Sequence, residues 1–261
     1  MSKNIKDIKN FIVDLDGTTY ISGKEIPGSR DFFDTLKKQK KNYVFLTNNS
    51  SANAKIYQEK LAKIGIDVDE EQIFTSGMAT VIFLKKHKDY NKIFPLGTPS
   101  FEIELEKAGL VIDDDNPDCV VLSFDKTLTY EKLEKACLFI RKGVPFIATH
   151  PDIVCPTEYG YIPDCGAMIA LIESATGVSP KIIGKPKKEM LKAIMDKTNF
   201  SSNETAIVGD RIYTDIRMGK DAGIIAILVL SGETKKRDLK DSKILPDFVF
   251  KSLKELKNEL E

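Results

Sequence analysis

Short apolar runs alternate with amphipathic stretches along the whole chain. The first run, Phe11-Ile12-Val13, ends in Asp14-Leu15-Asp16-Gly17-Thr18, the pattern of a buried strand whose C-terminal end carries charge. From Pro27 to Lys41, Phe32, Phe33 and Leu36 fall on one face and lysines close the segment, as in a helix with favourable dipole charges. Tyr43 to Leu46 reads as a strand that ends in Thr47-Asn48-Asn49-Ser50-Ser51. Ala54, Tyr57, Leu61 and Ile64 mark the next helix, closed by Gly65. Ile73 to Thr75 is a short strand leading into a helix that runs to His87. Strand and helix alternating at this spacing predict right-handed crossovers and a parallel sheet.

The alternation restarts in the middle of the chain. Strands are expected at Ile93 to Leu96, Cys119 to Phe124 and Val144 to Thr149, with helices at Pro99 to Ala108, Tyr130 to Arg141 and Asp164 to Thr176. In the last of these, Met168, Ile169, Leu171 and Ile172 read as a core stripe. This is enough for a separate α/β domain of about 90 residues. A third block holds Ile182-Ile183-Gly184-Lys185-Pro186, a helix to Lys197, and a strand over Thr205 to Val208. After it come Gly209-Asp210-Arg211-Ile212-Tyr213-Thr214-Asp215, a helix from Tyr213 to Ala222, and strands over Ile224 to Leu230 and Phe248 to Phe250. Leu253, Leu256 and Leu260 make a closing helix.

Length and charge narrow the function. A chain of 261 residues is comfortable for two domains, and 39 basic residues balance 39 acidic ones, so no basic excess points to nucleic acid. The longest apolar run is too short to span a bilayer, and no signal-peptide pattern opens the chain, so no membrane partner is expected. The four cysteines show no C-x-x-C spacing and only two histidines are present, which argues against zinc. The cysteines are expected to be reduced thiols in a cytoplasmic protein.

Four expected strand ends carry residues that chemistry would use: Asp14 with Asp16, Thr47 with Asn48 and Asn49, Lys185, and Asp210 with Asp215. In a doubly wound sheet such ends can lie side by side. The first carboxylate would reach into the site, and the second would sit on the turn and offer its backbone carbonyl. A hard cation such as Mg²⁺ takes that set of oxygens. Bland readings exist for each feature alone. Asp16-Gly17 can be an ordinary turn, Thr47 to Ser50 an N-cap for the next helix, Lys185 a surface lysine, and Asp215 a first-turn carboxylate. His150 can be a loop or surface residue, and Lys235 to Lys243 a solvated face.

Taken together, D-x-D-G-T, T-N-N-S, G-K-P and G-D-R-x-x-T-D resemble the haloacid dehalogenase (HAD) superfamily. Within it they look like the NagD-like branch of 4-nitrophenylphosphatases, pyridoxal phosphatases and phosphoglycolate phosphatases. Ala148-Thr149-His150-Pro151-Asp152 and Pro163-Asp164-Cys165-Gly166-Ala167 look like that branch's cap. The resemblance spans Phe11 to Phe250 and implies a HAD-like α/β fold, a doubly wound parallel-sheet core over 1–90 and 180–261 with an α/β cap inserted at 91–179. It implies that Asp14 is the nucleophile, Asp16 the general acid and then base, and Lys185 the cation between nucleophile and phosphate. Thr47, Asn48 and the adjoining Asn49 would hold phosphoryl oxygens, and His150 would line the substrate entrance. Asp14, Asp210 and the Asp16 carbonyl would hold Mg²⁺, with Asp215 behind them holding the metal's waters or Lys185. The expected reaction is hydrolysis of a small phosphorylated metabolite, such as a sugar phosphate, a nucleoside monophosphate or p-nitrophenyl phosphate, through an aspartyl-phosphate. The alternatives are a phosphotransferase or mutase, and a phospho-ligand binding module without turnover. Some members of the branch dimerise through the cap, which leaves a homodimer open.

Overall fold

The computed structural model describes residues 4–261. By its contacts the chain divides into two compact units. One takes in the residues up to Thr47, Ala54–Phe74 and Ile194–Glu261, and the other Asn48–Asn53 and Thr75–Ala193.

The first unit is built on a six-stranded sheet. Its centre is the strand Asn10–Asp14, paired in parallel with Thr205–Gly209 on one side and Asn42–Thr47 on the other. Ile73–Thr75 lies beyond Asn42–Thr47. Ile225–Val229 and Phe248–Phe250 continue the other side in parallel. The chain therefore winds outward in one direction from Asn10–Asp14 and returns to its other flank at Thr205–Gly209. The order reverses between these two strands, the place where ligands bind in doubly wound sheets. Every residue of Asn10–Asp14, Thr205–Gly209 and Ile225–Val229 is buried, which accounts for their continuous apolar character. Phe32, Phe33 and Leu36 bury one face of the helix Ser29–Lys38, and Phe33 packs 4.7 Å from Phe45 of the sheet. That helix is shorter than the sequence suggests: Gly28 before it and Lys40 after it are both in the left-handed region, which no helix can contain. The closing helix Leu253–Leu260 buries Leu253, Leu256 and Leu260 as expected.

A hairpin that the sequence reading passed over, Tyr20–Ile21 against Lys24–Glu25, follows the first strand. Ser22 and Gly23 turn it with positive φ, and Ser-Gly between short strands was the available signal. The helix expected from Tyr213 to Ala222 is wound as a π-helix over Ile212–Ile216 before it becomes α-helical at Arg217–Asp221.

The second unit has its own parallel sheet of five strands, in the order Lys181–Ile182, Phe146–Ala148, Cys119–Leu122, Lys92–Leu96 and Val111–Ile112. Its core gathers Leu96, Val120, Leu122, Ile140, Ile169 and Ile172. The stripe on the helix Cys165–Thr176 is narrower than expected: Ile169 and Ile172 are buried with Cys165, but Leu171 is 45% exposed. One residue is about 100° of helix rotation, which turns Leu171 away from the face that Cys165, Ile169 and Ile172 define. An antiparallel hairpin, Val154–Thr157 with Gly160–Pro163, precedes this helix and was also missed.

Three of the four expected strand ends thus adjoin in one sheet. The fourth does not, because the strand before Lys185 is an edge of the other sheet.

Candidate active site

In the first unit the register sets the site. Val13 pairs with Val208, and Asp14 pairs with Leu46, so Asp14, Asp210 and Thr47 all leave the sheet at the same end of neighbouring strands. The side-chain oxygens of Asp14, Asp210 and Asp215 lie within 4.8 Å of one another, and all three residues are buried. Among the described residues this is the group of carboxylate, imidazole or thiol ligands close enough to hold a metal ion. Asp215 lies within this group because the wide π-turn carries Thr214, Asp215 and Ile216 inward, a position that suits either a metal ligand or a residue holding the metal's waters. The Arg211 N–H and the Thr214 hydroxyl donate to its Oδ2 at 3.3 and 3.2 Å. Asp16 adds no carboxylate to the group.

Backbone and small residues hold these acids in place. The Thr19 hydroxyl donates to the Asp14 carbonyl at 2.8 Å, and the Gly17 N–H donates to the Tyr20 carbonyl at 2.8 Å, closing the loop over Asp16. Gly17 takes φ +89°, and a Cβ there would come within 2.5 Å of Asp210 Oδ2. A Cβ on Gly232 would lie 2.0 Å from the same oxygen, which accepts the Glu233 N–H at 2.6 Å. Tyr20 is a site residue that sequence reasoning missed. It is buried and its hydroxyl bonds the Asp16 carboxylate. Burial first, then the Asp16, Tyr57 and Asp14 charges, hold its phenol well above the ordinary value of 10. Tyr20 therefore stays protonated and serves Asp16 as a donor.

In the second unit Asn48 and Lys185 form one buried clamp. Asn48 Oδ1 accepts the Lys185 N–H at 2.8 Å, and Asn48 Nδ2 donates to the Lys185 carbonyl at 3.1 Å. The same Nδ2 lies 3.2 Å from both oxygens of Asp152. Gly184 makes the approach feasible, since a Cβ there would sit 2.7 Å from Asn48 Oδ1 and 2.5 Å from the Thr149 carbonyl. Lys185 is accordingly buried, not a surface lysine. The Asn48 side chain is occupied by this clamp, so its own reach to a phosphoryl oxygen would have to come from the main chain. Asn49 turns back on its loop and accepts from the Ser51 N–H and hydroxyl at 3.0 and 2.7 Å. These residues do not cap the next helix, which begins at Ala54. His150 is not at a surface. It is 0% exposed, with Nδ1 3.8 Å from Asp152 Oδ2 and Nε2 3.5 Å from Asp164 Oδ1. Asp164 also caps the helix Cys165–Thr176. Isolated sequence signals could not have paired these groups, because Asn48 and Lys185 are 137 residues apart.

Three buried carboxylates this close would repel one another strongly without a cation. Their donors are all oxygen, which suits a hard divalent ion and not a thiolate- or imidazole-seeking metal. The residues present therefore fit a divalent metal.

Comparison with known proteins shows the family. Residues 11–111 match the family model of haloacid dehalogenase-like hydrolases, and residues 182–256 match a second, HAD-hydrolase-like model. The chain is 35% identical over 258 residues to the acid sugar phosphatase of Staphylococcus haemolyticus (strain JCSC1435), covering 98% of each. It is 37% identical over 251 residues to the 5'-nucleotidase YutF of Bacillus subtilis (strain 168), covering 96% of this chain and 98% of the relative. The crystal structure of a 4-nitrophenylphosphatase from Thermotoga maritima superposes with a TM-score of 0.95 at 48% identity, covering 98% of this chain and 99% of that one. The chain belongs to the haloacid dehalogenase-like hydrolases, in their NagD-like phosphatase branch.

The contact between Gly232 and Asp210 gives a direct test of the metal group. Gly232→Ala should push the Asp210 carboxylate out of the cluster. The metal concentration for half-maximal activity should rise about 10–100-fold, the usual cost of disturbing the groups that orient a ligand. A metal titration with less than a twofold change would show that Asp210 moves aside without consequence.

Proposed function

We propose that the protein is a Mg²⁺-dependent phosphomonoesterase that hydrolyses small phosphorylated metabolites through an aspartyl-phosphate on Asp14. The observation that carries this reading is the buried group Asp14, Asp210 and Asp215 at the switch point of a parallel sheet. Sugar phosphates, nucleoside monophosphates and 4-nitrophenyl phosphate are the substrate class, supported by the names of the relatives.

In the first step an Asp14 oxygen forms a bond to phosphorus. The bond from phosphorus to the leaving oxygen breaks, and that oxygen takes the proton of Asp16. In the second step a water oxygen attacks phosphorus, the Asp14–phosphorus bond breaks, and the water's proton passes to Asp16. The donor from Tyr20 fits this cycle, because it supports the ionised form that Asp16 takes between the two steps. An ionised carboxylate attacking an anionic phosphate must first be relieved of repulsion. Mg²⁺, when bound by Asp14, Asp210, Asp215 and the Asp16 carbonyl, supplies that neutralisation. Lys185 adds a second positive charge, and the Thr47 hydroxyl with the Asn48 and Asn49 main chain holds phosphoryl oxygens. Residues 91–179 act as the cap, excluding water and meeting the rest of the substrate. With four free thiols among the described residues, the cytoplasm is the compartment we assign.

The test is phosphate release from a panel of phosphomonoesters. EDTA should abolish release from every member and added Mg²⁺ should restore it. Activity that resists prolonged chelation would overturn the metal-dependent reading.

A further inference from the structure

None of the candidate active-site residues lines a second feature of the structure, a groove of about 450 Å³ in the second unit. Its floor is apolar: Ala79, Ile82 and Phe83 from the helix Ser76–Lys86, and Ala193 from the helix Lys188–Thr198. Its rim is basic, with Lys86, Lys181, Lys188 and Lys192 beside His87. Glu189 is the one carboxylate among the lining residues, and it is paired with Lys181 at 3.1 Å.

We propose that this groove is a binding site for a nucleoside triphosphate, separate from the phosphatase centre. Three observations favour that occupant. Lys188 and Lys192 stand four residues apart on one helix, a spacing at which like charges repel and which an anion between them would relieve. Phe83 forms an aromatic platform, with the His87 ring 4.1 Å away and Tyr90 stacked 5.6 Å beyond that. The Lys181 ammonium lies over the Phe83 ring, 5.1 Å from its centroid, so a base entering against Phe83 would meet this lysine, which also reaches a phosphate at the rim. The volume falls within the range of about 300–1,000 Å³ used for small ligands. A sugar monophosphate would leave the apolar floor uncovered and most of the rim unmatched. A nucleic-acid strand would call for a basic surplus, and the chain balances 39 basic against 39 acidic residues. A nucleoside triphosphate offers a flat ring for the floor and three phosphates for the lysines. The single carboxylate of the groove is held by a lysine, and the role assigned to the site is binding.

The experiment is calorimetric titration of the full chain with adenylyl imidodiphosphate, a non-hydrolysable triphosphate, in low salt and without added metal. Wild type is compared with Lys188→Glu/Lys192→Glu, whose kcat/KM for 4-nitrophenyl phosphate should stay within twofold. The expected result is a Kd at least tenfold higher in the variant. Adenosine and inorganic tripolyphosphate should each bind wild type at least tenfold more weakly than the nucleotide. No binding to wild type, or an unchanged Kd in the variant, overturns the proposal. Tripolyphosphate binding as tightly as the nucleotide also overturns it, since the floor would then contribute nothing. If the double variant loses phosphatase activity, Lys192→Ala decides, with a threefold rise in Kd expected and no rise counting against the site.

Discussion

Asp14→Asn is expected to lower phosphatase activity by about 10⁴-fold or more while leaving the fold intact, the scale on which removal of a nucleophile acts. Asparagine is nearly isosteric, so the buried end of the Asn10–Asp14 strand has no cavity to absorb. The same substitution makes a second, independent prediction from electrostatics. Asp14 is one of three buried carboxylates within 4.8 Å, and without metal they repel. Removing one charge should raise the metal-free Tm, by roughly 2–4 °C for each kcal/mol of repulsion relieved in a chain of this size. Bound metal stabilises by an amount set by its concentration over Kd, about 2.7 kcal/mol at 100-fold excess, so the rise in Tm on adding Mg²⁺ should shrink in the variant. Thermal melts with EDTA and with Mg²⁺, run beside a phosphate-release assay, read both effects. A fully active variant would remove Asp14 from the nucleophile's place. An inactive variant whose Mg²⁺ response equals that of wild type would keep the nucleophile and remove Asp14 from the metal.

The parts of this site that the sequence made legible are those in which local pattern and tertiary position coincide. Phe11-Ile12-Val13 before Asp14, and Ala206-Ile207-Val208 before Gly209-Asp210, read as buried strands because both faces of a central parallel strand meet helices. Their carboxylates then had to sit at the ligand edge, and the pairing of Val13 with Val208 brings them together. Lys185 was legible as a residue of interest but not in its setting. Its strand is only two residues long and joins the other sheet at an edge, and no local periodicity reports which sheet a short strand will choose. The family resemblance puts Asp215 beside the metal, but the turn that buries it has no local signature, because a π-helix has no propensity signal that separates it from an α-helix. His150 does lie in a loop, but its burial and its approach to Asp164 at 3.5 Å come from the fold and leave no local trace. Tyr20 lay one hairpin beyond the motif, and the short strands around Ser22-Gly23 were too brief to draw notice. In each case the missed contact is non-local, or the element is shorter than the period that would reveal it.

Asn48→Ala is expected to reduce kcat/KM by about 10²-fold although the side chain is tied to the main chain of another residue. Its amide satisfies both the N–H and the C=O of Lys185 and reaches the Asp152 carboxylate, all within a buried setting. Alanine would leave these groups without that partner, at a cost of about 2–4 kcal/mol in stability, since each buried group left unsatisfied costs about 1–3 kcal/mol. The larger effect on activity follows from the role proposed for Lys185: an ammonium placed to meet a phosphoryl group would lose its value when its backbone is free to shift by an ångström. Asn48→Asp should do no better, because it keeps the acceptor for Lys185 but turns the donor into a charge facing Asp152. A double-mutant cycle separates this positioning role from direct contact with substrate. If Asn48 acts only through Lys185, Asn48→Ala/Lys185→Met should lose no more activity than Lys185→Met alone, a coupling as large as the single Asn48 effect. If the two losses instead add in full, Asn48 touches the substrate by itself and the clamp is incidental to catalysis. Thermal melts of all four proteins keep the two effects apart, since the stability cost should follow Asn48 whether or not Lys185 is present.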